Sequence, residues 1–272
     1  MAEPAPIRIA VAGAGAVGSA VCRALTDGIP GFTLTAVSDL NPDQARKLIG
    51  RPGFDLSFAA LDDLPAKADW IVEALPAKMV PALAEPVMKA GKTLVLISSA
   101  ALLLYPELRD LPSRHGGKFL IPSGALGAMD AVNALAVKGI RGARLVTTKP
   151  PGAYTGAPHI VNNNIDLKAV TKPETIFSGN ALQAAAAFPA NVNVAATLTV
   201  ASRLPAESVE VEVRADPALT GNCHEITVAG DFSKFTFKVE NLPDPANPKS
   251  SALTALSIIA ALRRETAPLW IG

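Results

Sequence analysis

Two places along this chain combine residue types and spacing suited to chemistry. The first is Gly13-Ala14-Gly15-Ala16-Val17-Gly18, a G-x-G-x-x-G array directly after the apolar run Ile7–Ala12. Between a strand and a helix, the first glycine permits a tight turn and the second lets a pyrophosphate approach the backbone. The third lets helix and strand pack closely. Ala16 and Val17 complete the binding positions at the helix N-terminus, where free N–H groups face phosphate oxygens. Asp39 follows Gly18 by 21 residues, at the end of a second apolar run. A carboxylate there accepts hydrogen bonds from ribose hydroxyls and repels a 2′-phosphate. NAD is therefore expected, with NADP the alternative because Ser38 and Asn41 flank the acid.

The second place is Gly221-Asn222-Cys223-His224-Glu225-Ile226, where a turn enters a strand. A histidine at a strand end facing a cleft can act as a general base near neutrality, or serve the structure. The chain has two further histidines. His115, in Ser113-Arg114-His115-Gly116-Gly117, reads as a solvated loop residue. His159 follows Gly156-Ala157-Pro158 and reads as structural or as a neighbour of the cofactor cleft. The three histidines are scattered without metal-ligand spacing, and no metal is expected. Two cysteines exclude a disulfide framework and a four-thiolate zinc site. Cys22 reads as a small core residue of the first helix. Cys223 precedes His224 directly, so in a strand the two side chains point to opposite faces and form no dyad.

Two more stretches stand out. Pro122-Ser123-Gly124-Ala125-Leu126-Gly127-Ala128-Met129-Asp130 follows the fifth strand with small residues that admit a nicotinamide ring. Phe188-Pro189-Ala190-Asn191-Val192-Asn193-Val194-Ala195-Ala196 sets two asparagines before a helical run. Either asparagine can bond a carboxamide or carboxylate, and both stretches also suit capping and turns.

These residues must be held by regular elements. In the first half, strands are expected at Ile7–Ala12, Leu34–Ser38, Trp70–Glu73, Thr93–Ile97 and Phe119–Pro122. Val17, Val21, Ala24 and Leu25 mark a helix face between the first two. Alternating strands and helices imply an α/β, doubly wound parallel sheet of the Rossmann type. In the second half, Val209, Val211 and Val213 alternate with charged residues, as do Phe235, Phe237 and Val239 with polar ones. Period-two alternation implies an α+β domain with an antiparallel or mixed sheet, and Gly230-Asp231 offers a turn. Asn247-Pro248 reads as an N-cap with proline at the first helical position. The expected domains are residues 1–124 for the dinucleotide and 125–247 for the α+β sheet, with a last helix over 248–272 that closes the second or returns to pack on the first.

The composition narrows the function classes. Apolar residues make up 49% and charged residues 18%, with a net charge of +1. That profile is globular and offers no basic excess for nucleic acid or an anionic membrane. The longest apolar run, Leu94 to Leu104, falls short of the roughly 20 residues that span a bilayer. The first residues lack a signal peptide's basic and apolar regions, so a cytoplasmic location is expected.

Taken in order, the glycine array, Pro122-Ser123-Gly124-Ala125, Phe188–Ala196, Asn222-Cys223-His224-Glu225 and Asn247-Pro248-Lys249-Ser250-Ser251-Ala252 resemble the L-aspartate dehydrogenase family over nearly the whole chain. The resemblance implies oxidation of L-aspartate with NAD or NADP to iminosuccinate, which hydrolyses to oxaloacetate and ammonia and can feed NAD synthesis. It implies His224 as the catalytic residue, and Ala125 and either Asn193 or Asn191 as cofactor contacts. It also implies that the α+β domain, 125–247, is the catalytic one, that the last helix packs back on the Rossmann domain, and a homodimer. A dicarboxylate substrate calls for cations, and Lys149, Lys249 and Arg144 are candidates. Rival readings are a homoserine-dehydrogenase-like or dihydrodipicolinate-reductase-like enzyme, or a non-catalytic NAD-binding sensor.

Overall fold

A computed structural model describes residues 5–43, 45, 57–244, 247–269 and 271. The chain divides into two units, Met1–Pro122 with Thr254–Gly272, and Ser123–Leu253.

The first unit is an α/β fold around a six-stranded sheet. Its strands are β1 (Ile7–Ala12), β2 (Phe32–Ser38), β3 (Ser57–Phe58), β4 (Trp70–Glu73), β5 (Thr93–Leu96) and β6 (Lys118–Leu120). Their order is β3-β2-β1-β4-β5-β6, and every pairing is parallel. This is the Rossmann order, in which the chain reverses direction across the sheet beside β1. Ile9, Ala10, Val11 and Ala12 are all fully buried, as both-face coverage of a central parallel strand requires. Helix α1 (Ala16–Gly28) lays Val21, Cys22 and Leu25 on the sheet.

The second unit is built on a five-stranded mixed sheet. Its strands are β7 (Ile140–Lys149), β8 (Glu174–Asn180), β9 (Val209–Ala215), β10 (Asn222–Gly230) and β11 (Lys234–Asn241), in the order β11-β10-β7-β9-β8. Only β7 and β9 pair in parallel within it. Helices α2 (Met129–Ala136), α3 (Ala181–Ala187) and α4 (Asn193–Ser202) belong to this unit. Alternation gives the sheet two unlike faces. Leu145 and Thr147 are buried on one, while Arg144, Glu210, Glu212 and Arg214 occupy the other. Gly230 ends β10, and its N–H closes the hairpin on the Ser233 carbonyl at 2.9 Å.

The N-cap expected at Asn247 is corrected. Residues 247–251 form strand β13, paired antiparallel with β12 (Pro243–Asp244), and the helix begins later, as α5 (Ala252–Thr266). Ser251 takes the capping role, its hydroxyl oxygen accepting from the Leu253 N–H at 3.1 Å. Proline suits the first turn of a helix and also an edge strand, so Pro248 could not decide between them. From α5, Ile258, Ala261 and Leu262 join the core cluster of β1, β2 and α1.

Candidate active site

In the first unit, the glycine array forms the turn between β1 and α1. A Cβ at Gly13, whose φ is +104°, would run into the Ala74 carbonyl. At Gly18 it would overlap the Gly13 carbonyl oxygen. Both glycines are therefore fixed by packing. Gly15 is different: a Cβ there meets nothing within 4 Å. The space above the loop is thus open at Gly15, as close approach of a pyrophosphate to the backbone requires. The first bond within α1 runs from the Ser19 N–H to the Gly15 carbonyl at 2.8 Å. The N–H groups of Ala16, Val17 and Gly18 precede that bond, as at any helix start, and suit an anion.

Asp39 reaches this loop. Its carboxylate accepts from the Ala14 N–H and, at 2.7 Å, from the Asn41 N–H. One acid therefore fixes the array's geometry and stands at the end of β2, where a ribose would lie.

Glu73, at the end of β4, is a site feature that sequence reading passed over as a strand terminus. It is fully buried and accepts N–H bonds from Leu75 (2.6 Å), Ile97 (3.2 Å) and Ser98 (2.9 Å). Burial raises its carboxyl to about 7, against the opposing pull of those N–H bonds. It ties together the loops that follow β4 and β5, on the carboxyl edge where open α/β sheets take ligands.

In the second unit, His224 is the third residue of β10, opposite Thr147 of β7 and Val239 of β11. The ring is buried, with Nδ1 3.2 Å from the Thr147 hydroxyl. Lys149 lies two residues beyond Thr147 and so projects on the same face. Its Nζ donates to Asn191 Oδ1 at 2.6 Å. Burial, and then the Lys149 charge, push His224 down to about 3, so its imidazole is neutral. Burial likewise lowers the Lys149 ammonium to about 8. A small, mostly apolar hollow lined by Leu145, Thr147, Tyr154, Phe188, Asn191 and Val213 opens on this face.

The remaining expected residues separate. Ala125 lies in the turn before α2, and its carbonyl accepts from Asn241 Nδ2 at 3.3 Å. Asn241 also accepts from the Ser251 hydroxyl at 2.9 Å, so one buried amide joins two of the singled-out stretches. Asn193 is the exposed first residue of α4, and Asn191 accepts from Lys149. Arg144 alternates to the opposite face and pairs with Glu212 there. Lys249 falls in β13, with its side chain outside the described residues. His159 packs against Phe177 and Phe188, its Nε2 3.0 Å from the Ile176 carbonyl oxygen, which is a structural placement. His115 ends a short helix, Leu111–His115, and is exposed. Cys22 is fully buried. Among the described residues no His/Cys/Asp/Glu group could hold a metal, and no helix is long and apolar enough to cross a membrane.

Comparison with known proteins assigns both halves. Residues 13–122 match the model for the homoserine dehydrogenase NAD binding domain, and residues 130–265 match that for the aspartate dehydrogenase C-terminal domain. The chain is 39% identical to an L-aspartate dehydrogenase of Bradyrhizobium diazoefficiens over 98% of its own length and 94% of that protein's. It is 38% identical to L-aspartate dehydrogenase 3 of Bordetella bronchiseptica, covering all of both chains. Among solved structures, aspartate dehydrogenase from Thermotoga maritima superposes with a TM-score of 0.75 at 22% identity, over 98% of this chain and 99% of that one, which speaks to the fold. With a dinucleotide-type glycine turn in one unit and a buried histidine in the other, this chain belongs to the L-aspartate dehydrogenase family.

Proposed function

We propose that this protein oxidises L-aspartate with NAD to iminosuccinate, which water converts to oxaloacetate and ammonia. The observation that carries this reading is the full-length likeness to L-aspartate dehydrogenases, held together with a buried, neutral His224 beside Lys149. In this reading Gly13, Gly15, Ala16, Val17 and Gly18 receive the pyrophosphate, and Asp39 receives the ribose and favours NAD over NADP. Ala125 and one of Asn191 and Asn193 contact the nicotinamide end. Of the two asparagines, this reading favours Asn193.

When bound, the nicotinamide supplies the acceptor for the hydride that leaves the substrate's Cα. This chain's own groups handle the proton. A substrate ammonium must lose a proton before its nitrogen lone pair can assist departure of the hydride. His224, neutral at the outset, accepts that proton or draws one from the water that attacks the imine. Thr147 fixes the ring through Nδ1.

We further propose a homodimer acting in the cytoplasm, with a role in supplying NAD synthesis. The test is absorbance at 340 nm with L-aspartate, D-aspartate, L-glutamate and L-homoserine, each with NAD and with NADP. A rise with L-aspartate alone, faster with NAD, is expected. A rise with L-homoserine instead, or NADH binding without turnover of any amino acid, would overturn the assignment.

A further inference from the structure

Lys149 is a partly buried cation, and the partner the structure gives it is an uncharged amide. Burying an ammonium without an anion is costly, which is why its lowered value traces to burial alone. Among the described residues no carboxylate forms an ion pair with Lys149, although Arg8, Lys89, Lys92, Arg114, Arg141, Arg144, Arg214 and Lys238 all have one. An ammonium has three donors, and Asn191 takes one. The other two are available to an incoming anion on the face of the sheet that carries His224.

We propose that Lys149, steadied by Asn191, is the anchor for a carboxylate of the substrate, and that seating this carboxylate offsets the charge acting on His224. The inference rests on the L-aspartate reading and adds to it the residue that selects an acidic substrate. Arg144, the other described candidate, is excluded by alternation, since it projects from the opposite face and is held by Glu212. Lys149 is the charge that acts on His224, whose register neighbours Thr147 and Val239 carry none. A bound carboxylate would oppose that charge, the smaller of the two causes after burial, so the imidazole becomes a better base with substrate in place.

Two experiments on the full chain decide this. Succinate, a dicarboxylate without an amine, is the probe. Histidine ring NMR is tractable with three histidines in the chain. Saturating succinate should shift the His224 resonances and raise its titration midpoint in the wild type. In Lys149→Met the midpoint of the free protein should already be raised, and succinate should move it no further. Lys149→Arg keeps the charge and should keep the succinate response. Inorganic phosphate run in parallel distinguishes a carboxylate site from a cofactor-phosphate site. In kinetics, Lys149→Met should raise KM for L-aspartate on the order of ten- to a hundredfold, with NADH affinity unchanged. A succinate response that survives in Lys149→Met, or a response to phosphate and not to succinate, would overturn the proposal. So would an unchanged KM. Absence of L-aspartate turnover in the wild type would instead remove the activity reading, while the NMR arm would still report whether Lys149 receives a carboxylate.

Discussion

Replacing Gly15 and Gly18 by alanine, one at a time, separates cofactor binding from folding within a single turn. Gly15 has φ −66° and ψ −168°, which any residue adopts, and a Cβ there touches nothing within 4 Å. Alanine at this N-cap position loses a few tenths of a kcal/mol to about 1 kcal/mol of capping preference. The stiffer unfolded chain returns about 0.4–1 kcal/mol. Stability should therefore stay within about 1 kcal/mol of wild type. The added methyl enters the space we propose for the pyrophosphate, so NADH affinity should fall about tenfold or more, each decade being about 1.4 kcal/mol. Gly18→Ala is the contrasting case. Its Cβ overlaps the Gly13 carbonyl oxygen and lies 3.3 Å from Val11 Cγ1, so backbone must move. Such overpacking costs roughly 1–3 kcal/mol or more, with melting lowered by roughly 2–4 °C per kcal/mol. Fluorescence titration with NADH and a thermal melt on each variant give both numbers. Wild-type NADH affinity in Gly15→Ala would refute the assignment of that space, and equal melting losses in both variants would refute the packing argument.

Three other outcomes follow from the same geometry. Asp39→Ser should narrow or reverse the preference for NAD over NADP, read as the ratio of kcat/KM values, because the carboxylate that repels a 2′-phosphate is gone; an unchanged ratio would place discrimination elsewhere. Glu73 keeps its proton in the fold up to about 7, whereas an unfolded glutamate releases it near 4.5, so stability present below 4.5 is lost as pH rises to about 7. Glu73→Gln cannot ionise, so the wild-type advantage over it should shrink on the order of 3 kcal/mol across that window, at about 1.36 kcal/mol per unit, and then level off; a pH-independent difference in urea unfolding would contradict this. The Cys22 thiol is buried and pushed up to about 12, so a thiol reagent should modify the half-buried Cys223 in the native protein and reach Cys22 only on unfolding, and rapid loss of two thiols would contradict the core placement.

The first unit was largely legible in the sequence. Its strands are buried on both faces and read as apolar runs, and the glycine array has a local mechanism that needs no tertiary knowledge. Strand β3, at the sheet edge with two residues, carries too little pattern to be seen. In the second unit the alternations at Val209–Val213 and Phe235–Val239 exposed β9 and β11. Strand β7 was missed, because Ile140–Lys149 is buried without strict alternation. That omission hid the site. Thr147 meets His224 through strand pairing across 77 residues, and Asn191 reaches Lys149 across 42. No local spacing encodes such contacts. Glu73 was hidden for a related reason, since its burial depends on loops that follow two different strands. Ser251 replaced Asn247 as the cap because both segments carry capping residues and only the pairing of β12 with β13 chooses between them.

The most direct test of the whole account is turnover of L-aspartate with NAD, followed at 340 nm, in the wild type and in His224→Ala side by side, with NADH binding measured in both. The account predicts a clear rate in the wild type and a loss of about 10²–10⁴-fold in kcat in the variant, with NADH affinity retained. Equal turnover in the two proteins would contradict the catalytic role of His224, and with it the site built around β7 and β10.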